Sequence, residues 1–354
     1  MANVQHGSST SRMPMLRVLG IALAALILWQ VFRGVRLGEV TELLQSIGPA
    51  LLLAFIPFLL VNLVDAFAWA DILRRLGATP PYREAFSAHL ASEATLMSLP
   101  LGVVVAEPIR PFLLRRRAGV PISAGVASTA ARKYLLMGAE GVVVAIAATL
   151  AGGLLASVSQ DVLGIGGLRW ITWGIAALLL ALALGYAALL RKGRLAGRLF
   201  DFAQRFTPAR FRAALERRRH DFTEVDGTLS EFFSLPFRQL LPAGLLYVLV
   251  WVIEAAETYL ILWLLGVDVG FEAALALEAV LVFLRSAVAI LPAGLGLQDL
   301  GYVLFLRALG VEDALLVGAA FSIIKRFKEA LWIGAGYACL LLGRLSQKPL
   351  EVRV

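Results

Sequence analysis

Glu107 and Arg110 stand three residues apart between Pro100 and Pro111, with Pro108 between them, inside a stretch that is otherwise apolar. Asp299 follows Pro292, Gly294 and Gly296 in a second interrupted apolar stretch. Arg132 and Lys133 directly precede one long apolar run, and Lys325, Arg326, Lys328 and Glu329 lie in another. A charged side chain at the centre of a bilayer costs about 2.5 to 3.5 kcal/mol on insertion scales, so these groups must pair, snorkel or line a wet cavity. The chemistry open to them is recognition of an anion. Arg110 or Arg132 can give a phosphate two parallel hydrogen bonds, and Lys325, Arg326 or Lys328 can add charge. Glu107 and Asp299 are candidate proton carriers. Glu140, Glu254, Glu257, Glu278 and Arg285 complete the ionisable groups at or near membrane depth.

The substrate-binding set expected from the sequence is Glu107, Arg110, Arg132, Lys133, Asp299, Lys325, Arg326 and Lys328. Helical spacing puts Glu107 with Arg110, and Lys325 with Glu329, on shared faces as ion pairs. Such pairs also occur as purely structural networks. Pro100, Gly102, Pro108, Pro292, Gly294 and Gly296 are the expected hinge or re-entrant positions, because proline removes a donor and glycine admits close backbone approach. Irregular backbone at that depth is tolerated only where protein buries it or water reaches it.

The elements that must carry these groups belong to a membrane. Apolar residues make up 59% of the 354-residue chain and charged residues 16%, and the mean hydropathy is +0.80, far from a soluble domain's balance. Apolar runs from Leu16 to Phe32, Pro49 to Ile72, Tyr134 to Leu155, Trp170 to Leu190, Leu240 to Leu265 and Phe271 to Ile290 each approach the ~20 residues that span a bilayer. The stretches Ala85 to Ala106, Leu295 to Leu309 and Ala314 to Leu342 are interrupted by charge, proline or glycine and read as broken or cavity-lining helices.

Between Arg191 and Arg238 there are eleven Lys/Arg against six Asp/Glu, including Arg217, Arg218 and Arg219. An excess of this kind marks the cytoplasmic side and attracts anionic headgroups. Phe202, Phe206, Phe211 and Phe222 interleaved with arginine allow an amphipathic surface helix there. The connections Ser157 to Gly167 and Gly266 to Gly270 carry no Lys or Arg and suit the outside, which places both termini in the cytoplasm. The expected layout is a tail over 1–14, a polytopic domain over 15–345 with the basic loop at 191–238, and a tail over 346–354. No recognition motif accompanies the positive charge, so nucleic acid is not an expected partner. One cysteine, Cys339, and three scattered histidines, His6, His89 and His220, supply no metal set. No cofactor is expected.

Leu99, Pro100, Gly102 and Glu107 recur 192 positions later as Leu291, Pro292, Gly294 and Asp299, and Leu114 and Arg115 recur as Leu306 and Arg307. Weak internal symmetry between interrupted apolar segments is the pointer to a transporter-type site. The repeat-like segments cover about 84–156 and 271–343, entering from opposite sides. The expected fold is therefore an all-α integral membrane protein with roughly seven or eight membrane helices, two inverted pseudo-repeats and a cationic groove between them.

The stretch Ala106 to Leu114 with Arg132 after it, and the stretch Leu291 to Asp299 with Gly310 and Arg326 after it, resemble the two signature blocks of a known family. It is the flippase-like transmembrane domain of lysylphosphatidylglycerol synthases and its stand-alone relatives. Ala106 stands where the family has Gly, and Asp299 where it has Glu; Pro108 and Pro111 add rigidity. The resemblance implies movement of a polar, anionic lipid or lipid-linked precursor between leaflets of the bacterial inner membrane, with membrane lipids and lipid-biosynthesis enzymes as partners. It also implies a link to the hopanoid-associated branch. Lysyl transfer is not expected, since the chain reaches only Val354, without a soluble transferase domain. The competing readings are a membrane-embedded glycosyl- or acyltransferase with Glu107, Asp299 or Glu278 as general base, and a lipid-binding subunit that transports nothing.

Overall fold

The computed structural model describes residues 33–99, 102–207, 212–213, 216–217, 219–287 and 296–345. Among them the regular structure is helical: α1 (Leu37–Ile47), a 3-10 segment (Gly48–Phe55), α2 (Ile56–Arg75), α3 (Tyr82–Ser98), α4 (Gly102–Ala118), α5 (Ile122–Leu150), α6 (Gly152–Leu163), α7 (Leu168–Arg191), α8 (Leu195–Phe206), α9 (Arg219–Ser234), α10 (Phe237–Leu264), α11 (Phe271–Ala287), α12 (Leu297–Ala308) and α13 (Ala314–Leu345). Proline punctuates the starts: Pro81, Pro121 and Pro236 hold the extended backbone that precedes α3, α5 and α10.

Among the described residues, four stretches are long and apolar enough to cross a membrane: Leu37–Arg75, Ile122–Leu150, Leu168–Arg191 and Phe237–Leu264. Their outer surfaces remain apolar; Leu178, Leu182 and Leu184 of α7 are exposed, as are Leu245, Leu249 and Trp263 of α10. A soluble helix would place polar residues there, whereas a helix apolar all round suits lipid. The run from Leu16 to Phe32 lies outside the described residues. The described residues of the run from Phe271 to Ile290 form the 17-residue α11, and of the residues expected as a connection from Ser157 to Gly167, those up to Leu163 belong to α6. In α6 the chain continues as a helix after a cap at Ala151 and stops at left-handed Gly164.

Two four-helix units share one order of elements. In the first, α2 leads into α3, a break, α4 and the long α5; in the second, α10 leads into α11, a break, α12 and the long α13. The leading helices α2 and α10 pack together. The first broken helix of each unit lies on the last helix of the other, α3 on α13 and α11 on α5. Two apolar clusters lie mainly within one unit each, and two others join the units, with Phe58 and Ala131 meeting Tyr247 and Val143 meeting Leu275. Trp69, Leu73, Leu113 and Leu114 fill the first unit, while Leu277, Tyr302, Leu306 and Phe321 fill the second.

Of the expected hinge positions, Gly102 and Gly296 stand at helix starts. Helix α3 ends at extended Leu99, whose carbonyl accepts the N–H of Gly102 at 2.9 Å where α4 begins. Gly102 sits so close to the backbone of Leu96 that a Cβ would collide with it. Pro108 and Pro111 stand inside continuous α4 and break nothing. Gly125 lets α5 come close to Pro111, since a Cβ at Gly125 would lie only 2.8 Å from the proline ring. At the second break Gly296 has φ 83, a left-handed conformation that favours glycine, immediately before α12. Pro100, Pro292 and Gly294 lie outside the described residues.

Candidate functional site: two buried charge clusters

The first unit gathers seven ionisable side chains from four helices. Asp65 comes from α2, His89 and Glu93 from α3, Glu107 and Arg110 from α4, Arg132 and Lys133 from α5. Arg132 donates from Nε to Asp65 Oδ1 at 2.7 Å and from Nη2 to Oδ2 at 2.5 Å, the parallel geometry that makes arginine–carboxylate pairs strong. Its Nη2 also lies 3.4 Å from Glu93 Oε1. Arg110 bridges Glu93 at 2.5 Å and Glu107 at 2.9 Å, and Lys133 reaches Glu107 at 3.3 Å. Asn62 Oδ1 meets His89 Nε2 at 3.2 Å. Arg110 is 1% exposed and Arg132 4%, so both guanidiniums are spent on carboxylates rather than open to a ligand.

The second unit repeats the scheme with lysines. Glu257 and Thr258 come from α10, Glu278 from α11, Asp299 from α12, and Lys325, Arg326, Lys328 and Glu329 from α13. One oxygen, Glu257 Oε1, takes Lys325 Nζ at 2.8 Å and Lys328 Nζ at 2.5 Å. Lys325 also donates to Thr258 Oγ1 at 3.1 Å, whose hydroxyl donates to Glu278 Oε1 at 2.5 Å. Lys328 sits 4.1 Å from the centroid of the Phe58 ring, a cation–π contact. Arg326 bridges Asp299 at 2.9 Å and Glu329 at 2.7 Å.

Among the described residues, the second cluster borders an internal cavity, while the first reaches the surface through Lys133, whose side chain is 46% exposed. A cavity of about 120 Å³ is lined by Lys325 and Lys328, by Glu254, Glu257, Glu278 and Glu329, and by Gln298, Tyr302, Phe58 and Met97. It is polar and large enough for several water molecules. Glu257 Oε2 is buried and has no hydrogen-bond partner among the described residues. Four glutamates against two lysines make the lining of this cavity acid-rich; Arg110, Arg132 and Arg326 are held by carboxylates outside it.

Of the expected site residues, Lys325 and Lys328 line the cavity. Glu107, Arg110, Arg132 and Lys133 form the first cluster, and Arg326 flanks the second. Asp299 is fully buried, and its Oδ2 accepts the backbone N–H of Gly296 at 2.9 Å, capping α12. Glu107 and Arg110 pair as the helical spacing requires. The expected Lys325–Glu329 pair is replaced by Arg326–Glu329, because Lys325 turns inward to Glu257 and Thr258.

Asp65, Glu93, His89 and Asn62 are absent from the expected set, although one signal was available for Asp65. It precedes Glu257 by 192 positions, the spacing that separates Glu107 from Asp299. The same offset thus relates the carboxylates of the two leading helices, Asp65 paired with Arg132 and Glu257 with Lys325.

The sequence profile of the family described as Lysylphosphatidylglycerol synthase TM region matches residues 17–324. No curated protein matches the chain.

Proposed function

Because the chain belongs to the lysylphosphatidylglycerol synthase transmembrane-region family, a multi-pass membrane domain linked to lipid modification or flipping, we propose that it moves a phosphate-bearing polar lipid between leaflets. The observation that carries the reading is the cavity at Glu257, Lys325 and Lys328, where two ammonium groups share one carboxylate oxygen beside open polar space.

A lipid phosphate offers those ammoniums charge-assisted hydrogen bonds of the kind Glu257 now supplies. Exchange of one anion for the other would release α10 from α13, since Glu257 is what holds Lys325 and Lys328 across that contact. Glu254, Glu278 and Glu329 in the same lining would accept hydrogen bonds from hydroxyl or amine groups of the headgroup. The cavity is smaller than the ~300–1,000 Å³ of ordinary ligand pockets, so the headgroup enters as the helices part and its chains stay in the bilayer.

The two four-helix units are read as an inverted pair whose relative rocking exposes the cavity to one leaflet and then the other. Their cross-packing, α3 on α13 and α11 on α5, supports that reading. The bacterial inner membrane and cytoplasmic termini fit the basic segment from Arg191 to Arg238.

The test is leaflet exchange of a fluorescent anionic phospholipid in reconstituted vesicles, read by chemical quenching of the outer leaflet. Wild type should exchange the probe well above protein-free vesicles, and Lys325→Met/Lys328→Met should fall to the protein-free level. Full exchange by the double variant would overturn the cavity assignment. A wild type that leaves the probe in its leaflet but changes its mass would point to lipid modification instead.

A further inference from the structure

Away from both clusters, where α7 ends and α8 begins, a cleft of about 360 Å³ is lined by Lys192, Arg194 and Arg198 with Leu189 and Leu195. None of the three cations has an ion pair or side-chain hydrogen bond among the described residues. That sets them apart from Arg110, Arg132, Lys325, Arg326 and Lys328 of the two clusters, each of which is paired with a carboxylate. The backbone N–H groups of Ala196 and Gly197 at the start of α8 are already taken by the two oxygens of Asp226, each at 2.8 Å. An anion in the cleft is therefore held by side chains alone.

The helix leading out of the cleft is amphipathic. Leu199, Phe202 and Phe206 fall on one face of α8 and are 57%, 59% and 73% exposed. The opposite face is pinned down, with Phe200 buried against Phe222 at 5.1 Å between ring centroids. A fixed helix that presents aromatic and leucine side chains outward beside arginines, directly after a membrane-spanning helix, has the composition of one lying in the bilayer interface.

We infer that the elbow between α7 and α8 is a binding site for an anionic phospholipid, distinct from the buried cavity. The phosphate sits among Lys192, Arg194 and Arg198, and the acyl chains run along Leu189, Leu195 and the exposed face of α8. Charge complementarity and the continuous apolar stripe select a lipid over a soluble phosphate compound, which would leave the stripe bare. The site depends on the chain's place in a membrane and not on the transport reading.

Native mass spectrometry tests it on the full chain released from nanodiscs of phosphatidylcholine and phosphatidylglycerol. Wild type should retain phosphatidylglycerol, and Lys192→Gln/Arg194→Gln/Arg198→Gln should bind it about 100-fold more weakly, from about fivefold per cation at a membrane surface. The control Arg212→Gln/Arg217→Gln/Arg238→Gln removes equal charge outside the cleft and should retain the lipid. Lys192→Arg/Arg194→Lys/Arg198→Lys keeps the charge, should also retain it, and guards against misfolding of the first variant. Equal loss in both glutamine variants would reduce the site to general surface charge, and displacement of the lipid by inorganic phosphate alone would show that the apolar stripe contributes nothing. Either result overturns the proposal, whereas leaflet exchange in the same variants reports separately on the cavity.

Discussion

The two units solve the same electrostatic problem with different cations. In the first, Arg132 spends a bidentate fork on Asp65, and Arg110 joins Glu93 to Glu107, so four helices are tied through fixed planar groups. In the second, Lys325 and Lys328 converge on one oxygen of Glu257 beside a cavity. Arginine holds carboxylates in a rigid geometry, while lysine is a point charge on a flexible stem that can change partners. On the proposed reading the first cluster serves as a strut and the second as an exchangeable contact. The α7–α8 elbow offers a third arrangement, three cations with no carboxylate partner among the described residues.

The strut is where this contrast breaks most visibly. Asp65→Ala leaves Arg132 buried without its bidentate partner, and removing one member of a buried pair costs about 3–5 kcal/mol. Thermal unfolding in nanodiscs should show the largest destabilisation of any single charge removal in the protein. A loss no greater than that of an exposed pair would mean that water reaches Arg132 and that the first cluster is no strut. At the other extreme, Glu329→Gln removes one partner of Arg326 on the same helix at i,i+3, in a partly exposed pair. Its expected cost is about 0.5 kcal/mol, small because Asp299 still holds Arg326. A loss comparable with that of Asp65→Ala would place Glu329 inside the essential network.

What was legible in the sequence was local. The Glu107–Arg110 pair follows from helical spacing, the first break falls beside Gly102, and apolar runs locate most of α2, α5, α7 and α10. What was not legible depends on helices distant in sequence meeting in space. Lys325 abandons Glu329 for Glu257, 68 positions earlier, because α13 turns that face toward α10. Asp65 looks like a lone acid in an apolar helix until Arg132 is found opposite it. The acid-rich lining of the cavity was hidden for the same reason, since its glutamates come from three helices, α10, α11 and α13. Pro108 misled because a helix packed on both sides can absorb a proline without breaking.

Both clusters are candidates for the lipid path by composition, and one comparison separates them. Leaflet exchange would be measured for Lys325→Met/Lys328→Met beside Asp65→Asn/Arg132→Gln, the latter neutralising the strut as a pair so that no charge is left stranded. The division of labour drawn here predicts that the lysine variant loses exchange while the strut variant, once shown to be folded, retains most of it. Exchange that survives the lysine variant and vanishes with the strut variant would contradict it and move the path to Asp65 and Arg132.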